Sequence, residues 1–534
     1  MGKRKREKTS VETAQKRASS CTTALHSLLG STLDMERFMA AHWERKPVVF
    51  KSPDDARRKH LASLFNLSSL WDCVKEAQKS DQPIQQGRDI NVVRYKDGIR
   101  ETLEDQEEGG CERWQQLYKE GWTLQVHQPQ RFCDALTEQC FSLERQLGCL
   151  VGSNAYITPA GAQGLAPHHD DVEIFVVQTE GRKKWRLYAP LGGLELPSTS
   201  SNDLSEDVIG EPTMEITLEV GDVLYMPRGT VHEAITDDTS ASCHITISAY
   251  QHFSFATLAQ HVLGTLTEGQ TAEVCLPIEL RRGLPIGFLY QHGLQHDTAG
   301  VLQRGARKQS SGSKVEATSA AASLAQGLRK LADAVERDPA LLSMAADSMA
   351  VDFMASRLPP KEGNLPDVGE APTQSSSVRC RGSGLFRMMP LGDQDTPEDT
   401  EGGWVKVMSC LHNDVHSHMM GGSAGGCEQE GLACCRKRGE HSHASDDGDG
   451  DASEEIESES EEEEEEEEEN EECGGGAADM VFPASYSFAI AQLLATADSK
   501  GIKVSDIKLP SKEDKLGLAF ALWSEGVICT VPPE

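Results

Sequence analysis

No stretch of the 534 residues approaches the roughly 18 to 20 continuous apolar residues that a membrane span needs. The N-terminus is basic but lacks the apolar core of a secretory signal. A soluble intracellular protein with no membrane partner is therefore expected. The fifteen cysteines include no Cys-x-x-Cys pair, which argues against zinc fingers and against a disulfide framework. Cys427, Cys434 and Cys435 lie near His441 and His443, but their Gly-rich, polar setting reads as an incidental cluster rather than a metal site.

Acid is abundant. The net charge is −33, yet Asp446 to Glu472 alone carries 19 acidic residues and no Lys or Arg, so the remainder stands at only −14. So dense a like-charge block cannot bury surface, and it is expected to be a disordered insert that attracts basic partners. A hydrophobic content of 38% is enough for real cores, and the length exceeds what one core organises. Lys3-Arg4-Lys5-Arg6-Glu7-Lys8 is a basic tail that fits nuclear import.

From about Ala24 to Leu147 the pattern is mixed, helical over Ser68 to Glu76 and Phe132 to Leu147, strand-like over Ile90 to Arg94 and Thr123 to His127. From Asn154 to Ser254 it changes to period-two segments punctuated by Gly and Pro. Asn154 to Thr158 is one strand; Val172 to Gln178 and Trp185 to Tyr188 read as a hairpin about a Glu180-Gly181 turn. Glu215 to Val220, Val223 to Met226 and His244 to Tyr250 complete the set. Many short strands around one site suggest a jelly roll, the double-stranded β-helix of cupin-like proteins, within a mixed α and β chain. Leu324, Leu328, Leu331 and Val335 recur at helical spacing within Ala322 to Arg337, after an expected flexible loop over Ser310 to Ser323. The last unit ends in two helices, the second opened by the capping-box pattern Ser511 to Asp514, and a closing strand over Val527 to Val531.

Within the β-region, Pro167-His168-His169-Asp170-Asp171 is followed about sixty residues later by Pro227-Arg228-Gly229-Thr230-Val231-His232. Two imidazoles and one carboxylate can occupy one triangular face of an octahedral Fe(II), leaving three positions for a chelating cosubstrate and O2. Two overlapping His-x-Asp pairs compete. Residues two apart on a strand share a face. His168 and Asp170 extend to Val172, Ile174 and Val176, whereas His169 and Asp171 extend to Glu173, an acidic and therefore poor inner-face residue. The first pair is preferred. By the same alternation Lys183 shares a face with Trp185 and Leu187. An inward ammonium is costly without an anion, and a dicarboxylate cosubstrate would supply one. Tyr156, Thr246 and Ser248 are further hydroxyl donors for the same carboxylate, or else ordinary strand residues of an outer face.

The run from Asn154 through Tyr156, His168 and Asp170 to Glu173, then Glu180 to Tyr188 with Lys183, then Pro227 to His232, closely resembles the JmjC-type ribosomal oxygenases. Within that family the chain looks most like the Myc-induced nuclear antigen branch; His127 to Phe132, Thr246 to Gln251 and Leu522 to Glu525 are similar to it too. The resemblance implies Fe(II) held by His168, Asp170 and His232, with 2-oxoglutarate and O2 as cosubstrates. Lys183 would meet the far carboxylate of 2-oxoglutarate, helped by Tyr156 and Ser248, with Asn154 and Thr246 as further contacts. It also implies a JmjC domain with N-terminal helices (24–265), a helical dimerisation region (266–360) and a winged-helix domain (361–534), to which the residues themselves add the basic tail (1–23) and the acidic insert at about 436–478. A homodimer in the nucleus and nucleolus follows. The family hydroxylates a histidine of a large-subunit ribosomal protein, and members have been described as histone lysine demethylases. His169, where the family usually has Tyr, and the acidic insertion depart from its pattern.

Three readings compete: the histidyl hydroxylase, a histone lysine demethylase, and a nuclear scaffold whose acidic run binds basic proteins. An intact His/Asp/His set with Lys183 argues against the scaffold. Direct nucleic-acid binding is disfavoured, because Lys508, Lys512 and Lys515 are mixed with Glu513 and Asp514, and the acidic run repels phosphate.

Overall fold

Period-two alternation becomes ten strands: β1 (Val48–Phe50), β2 (Ile90–Lys96), β3 (Ile99–Thr102), β4 (Thr123–His127), β5 (Val151–Thr158), β6 (Glu173–Tyr188), β7 (Met214–Glu219), β8 (Val223–Met226), β9 (Val231–Thr236) and β10 (Ser242–Ala249). The computed structural model describes residues 23–30, 33–52, 54–79, 83–103, 111–249, 253–267, 276–284, 311–338, 340–361, 363–391, 403–420 and 480–532. The basic tail, the Cys427 to His443 cluster and the acidic run lie outside them.

The strands form a sheet ordered β1-β8-β6-β10-β5-β4-β2-β3, with β7 and β9 also paired to β6. The sixteen residues of β6 explain that branching. Its first half, Ile174 to Val177, lies between β8 and β10, and its second half, Lys183 to Tyr188, lies between β7 and β9. One strand therefore serves both layers, which corrects the expected hairpin. The Glu180-Gly181 dipeptide is a bend, not a reversal. Gly181 adopts φ 58°, and a Cβ there would run into the Ala241 carbonyl oxygen. Only glycine fits such a position.

Two cores follow from the two faces. Val172, Ile174, Val176, Trp185, Leu187, Leu218, Leu224 and Met226 pack between the layers. On the other face, Phe175 and Tyr225 meet Phe38, Trp43 and Phe50 from the N-terminal segment, with Phe38 and Tyr225 edge to face at 4.9 Å. That outer core continues through Leu143 and Leu358 to Val378 and Leu522. Helix Leu67–Ala77, capped by Asn66 accepting from the Ser69 N–H at 2.9 Å, and helix Asp134–Leu147, ended by Gly148 at φ 71°, cover it.

After the barrel, helix Phe255–Thr267 packs on helix Ala340–Ser356. The helix carrying Leu331 runs from Ser311 to Arg337, so the expected loop over Ser310 to Ser323 is almost wholly helical. Its Ser and Ala content was read as flexible, yet Ala is the best helix former. Beyond Pro360, β11 (Ser377–Cys380), β12 (Phe386–Pro390), β13 (Trp404–Ser409), β14 (Met480–Pro483), β15 (Ile502–Lys503) and β16 (Ile528–Val531) make two three-stranded antiparallel sheets. Helices Ser487–Leu494 and Lys512–Ser524 pack with them, and Ser511 caps the second by accepting from the Asp514 N–H at 2.9 Å.

Gly181→Ala is expected to destabilise the fold by at least about 1–2 kcal/mol, the cost of a left-handed non-glycine residue, before the clash with Ala241 is counted. Urea unfolding of the variant measures this; an unchanged midpoint would contradict the bend.

Candidate metal centre

His168 and Asp170 do not lie on β6 itself, which begins at Glu173; they occupy the extended segment that leads into it. A two-residue backbone bridge pins that segment to β9. His168 N–H donates to the His232 carbonyl at 3.2 Å and His232 N–H donates to the His168 carbonyl at 2.9 Å. Asp170 is fixed through its own carbonyl, which accepts from Gly229 N–H at 2.9 Å. The three side chains converge: one donor atom from each of His168, Asp170 and His232 lies within 4.8 Å of the others, the single such group among the described residues.

Each imidazole is oriented from behind. His168 Nδ1 lies 2.8 Å from the Ala166 carbonyl, and His232 Nδ1 lies 3.0 Å from that of Thr230. A carbonyl only accepts, so both Nδ1 atoms carry a proton and both Nε2 atoms are turned toward the ligand position. Each Nε2 stands 3.8 Å from a different oxygen of Asp170. His232 is held neutral, pushed down to about 4 by burial and by His168, against the pull of Asp170. Neutral imidazoles are what a metal requires. Nitrogen and carboxylate donors without sulfur suit Fe(II) on three protein ligands.

His169 is not a member of that group. It is 6% exposed, and its backbone exchanges bonds with Ser201. The preference for His168 and Asp170 agrees with this geometry, but its premise was incomplete. Glu173, judged a poor inner-face residue, faces the outer core and is fully buried there. It accepts from the Tyr225 hydroxyl and from Arg228 N–H at 3.3 Å, with the Arg228 guanidinium at 3.5 Å. Burial pushes its carboxyl up to about 7 against those partners.

The wall opposite the ligands is polar. Alternation sends Val151, Ala155 and Ile157 of β5 and Cys243, Ile245 and Ile247 of β10 into the outer core. Asn154, Tyr156 and Thr158, with His244, Thr246 and Ser248, therefore take the inner face. Lys183 joins them, 4% exposed, with its ammonium 3.1 Å from Thr158 Oγ1. Burial lowers its pKa to about 7. His244 stacks on Tyr156 at 4.9 Å and meets Trp185 edge-on at 5.1 Å. Of the expected cosubstrate contacts, Asn154 instead receives Gln128 N–H at 3.4 Å, and Thr246 Oγ1 lies 3.4 Å from the Asn154 carbonyl. Thr158 and His244 were missed; the step of two from Tyr156 and from Thr246 points to both.

Several buried polar atoms on this wall have no partner among the described residues: Trp185 Nε1, His244 Nδ1, Gln125 Oε1 and Thr236 Oγ1. Such atoms are costly unless something polar meets them. A buried amine with one hydroxyl neighbour, on the same face as the unpartnered Trp185 indole N–H, fits a small dicarboxylate whose far end reaches Lys183.

Residues 125–258 match the JmjC domain family. Ribosomal oxygenase 2 of Bos taurus is 34% identical over 513 residues, covering 94% of this chain and 90% of that protein. Ribosomal oxygenase 1 of Homo sapiens is 36% identical over 262 residues, 49% of this chain and 39% of that one. The bifunctional lysine-specific demethylase and histidyl-hydroxylase NO66 of Drosophila persimilis is 32% identical over 328 residues, 61% of this chain and 43% of that one.

The purified protein should bind one Fe(II) per chain. His168→Ala, Asp170→Ala and His232→Ala should each abolish that binding, whereas His169→Ala retains it, as read by metal analysis after gel filtration. Loss of iron in His169→Ala with retention in His168→Ala would overturn the ligand set.

Proposed function

The chain belongs to the JmjC-domain ribosomal oxygenases, and from that membership we propose that it hydroxylates a histidine side chain of a large-subunit ribosomal protein, using Fe(II), 2-oxoglutarate and O2. The carrying observation is the pair of imidazoles whose Nδ1 protons are committed to backbone carbonyls, so that both Nε2 atoms face the Asp170 carboxylate. Bound Fe(II) with 2-oxoglutarate and O2 supplies the oxidising power, 2-oxoglutarate leaving as succinate and CO2 while one oxygen atom enters a substrate C–H bond.

The protein's own part is placement and charge. His168 and His232 offer one imidazole nitrogen each and Asp170 a carboxylate oxygen, leaving the remaining positions open. Lys183 neutralises the far carboxylate, with Thr158 and Tyr156 beside it. Trp185, Leu187 and Val176 keep water from the inner wall. A second reading, demethylation of a histone lysine, is favoured by the activities named for the NO66 relatives. Oxidation of an N-methyl carbon uses the same site, and the two outcomes separate by product: a histidine heavier by one oxygen atom, or formaldehyde.

We also infer a homodimer through the helical region 266–360, supported by exposed Leu324 and Leu328, a winged-helix domain in the C-terminal unit, and residence in the nucleus and nucleolus. These readings rest on the family, and light scattering of the purified protein tests the first of them.

The functional test is incubation with large-subunit ribosomal proteins, Fe(II) and 2-oxoglutarate, with peptide mass spectrometry; hydroxyhistidine in step with succinate supports the reading. Formaldehyde from methylated histone with no hydroxyhistidine would favour the second. Lys183→Ala should remove a charge-assisted contact of about 1.5 to 3 kcal/mol, raising the half-saturating 2-oxoglutarate concentration roughly ten- to a hundredfold with iron binding unchanged. An unaltered titration would mean that another group holds the cosubstrate.

The lowered pKa of Lys183 gives a pH dependence with a definite sign. Below about 7 the amine is already charged, and affinity for 2-oxoglutarate should be level. Above it the free protein holds the neutral amine, so binding must take up a proton and affinity falls as pH rises. Calorimetry in buffers of different ionisation enthalpy should show proton uptake at pH 8 and almost none at pH 6. Equal uptake at both would contradict the buried amine.

A further inference from the structure

One catalytic strand is completed by side chains rather than by backbone. β5 pairs with β10 along its whole length, but β4 covers only its Asn154 to Ile157 stretch, ending at His127. Among the described residues, no strand pairs with the Val151 to Ser153 edge on that side. Its amides find other acceptors: Val151 N–H donates to Glu144 Oε1 at 3.2 Å, and Ser153 N–H donates to Gln130 Oε1 at 3.1 Å. The Ser153 hydroxyl donates to the same Gln130 oxygen at 2.7 Å.

Both acceptors are held by one residue of the C-terminal unit. His418 Nε2 lies 3.0 Å from Glu144 Oε1, and its Nδ1 lies 3.1 Å from Gln130 Nε2. Since the Gln130 amide nitrogen only donates, His418 Nδ1 accepts and Nε2–H donates, the neutral tautomer bridging amide to carboxylate. The three side chains are sealed from water, His418 at 2% exposed and Gln130 and Glu144 at 0%. The second Glu144 oxygen accepts from Leu358 N–H at 2.9 Å, tying in the end of helix Ala340–Ser356. A buried network so fully satisfied is rigid, and removal of one member leaves the others unpaired.

We propose that His418 is a positioning residue for cosubstrate binding: through Gln130 and Glu144 it fixes the β5 edge, and so sets Tyr156 and Thr158 against Lys183. The proposal rests on the reading of this wall as the 2-oxoglutarate site. It makes the C-terminal unit part of the oxygenase, acting from outside the barrel on the cosubstrate wall and not on the metal. His168, Asp170 and His232 belong to other segments, and their backbone bridge does not involve β5.

The test compares full-length wild type, His418→Ala, His418→Gln and Ser153→Ala by 2-oxoglutarate titration of succinate formation, beside Fe(II) binding and thermal unfolding. His418→Ala should raise the half-saturating 2-oxoglutarate concentration by about fivefold, the factor that goes with losing roughly one hydrogen bond's worth of alignment, with iron stoichiometry intact. His418→Gln should restore it to within about twofold, because its amide both accepts from Gln130 and donates to Glu144. A merely structural role would lower the active fraction, and with it the maximal rate, at unchanged half-saturation; that outcome, or a His418→Gln as impaired as His418→Ala, overturns the proposal. Should His418→Ala not fold, Ser153→Ala carries the test, since it removes only the 2.7 Å hydroxyl link; a raised half-saturation supports the proposal and an unchanged one overturns it. Wild type with no 2-oxoglutarate turnover would instead sink the functional reading beneath it.

Discussion

A single strand belongs to both layers of the barrel, and each part of the site is placed by what pairs with it. β6 holds β10 along its first half, bringing His244, Thr246 and Ser248 to the inner wall, and holds β9 along its second half, where His232 stands opposite Leu187. A bulge at Thr179, where His244 pairs with Gln178 but Cys243 with Glu180, resets the alternation between the halves. Lys183, Trp185 and Leu187 thereby face the same interior as Ile174 and Val176, and the segment leading into the strand carries His168 and Asp170 to its mouth. A straight strand would leave one layer without its partners.

The interior built in this way is electrostatically incomplete. An amine is buried beside one hydroxyl, an indole and an imidazole nitrogen lack partners among the described residues, and a carboxylate stands between two imidazoles. Each is expensive in a dry site. A divalent cation between His168, Asp170 and His232 and a dianion reaching Lys183 would offset both ends with opposite charge. Burial favours the uncharged form of both Lys183 and His232. Binding energy is thus prepared in the protein, with little rearrangement required.

Much of this was legible in the sequence because strands have a period of two. Alternation, with acidic Glu173 weighing against the second register, preferred His168 and Asp170, the pair that the fold brings together with His232, and it put Lys183 on the face of Trp185. The same step of two would have found Thr158 and His244. What alternation does not encode is whether a face that points away from the site is wet or dry. Glu173 was read as excluded from an inner face, whereas it lies in a second core roofed by Phe38 and Trp43, residues more than a hundred positions earlier. Gly181 was read as a reversal because Glu-Gly suits a turn, and only the Ala241 carbonyl beside it shows a bend. The Ser310 to Ser323 stretch was read from composition as a loop, against the helix propensity of its alanines. The link from His418 to the β5 edge joins residues 265 or more apart and leaves no local pattern.

The most direct test is a crystal structure of the full-length protein grown without oxygen with Mn(II), a redox-inert stand-in for Fe(II), and 2-oxoglutarate. The account predicts a single metal bound by His168 Nε2, Asp170 and His232 Nε2, with the cosubstrate chelating it and its far carboxylate in contact with the Lys183 ammonium. A metal ligated by His169, or a 2-oxoglutarate whose far carboxylate points away from Lys183, would contradict it.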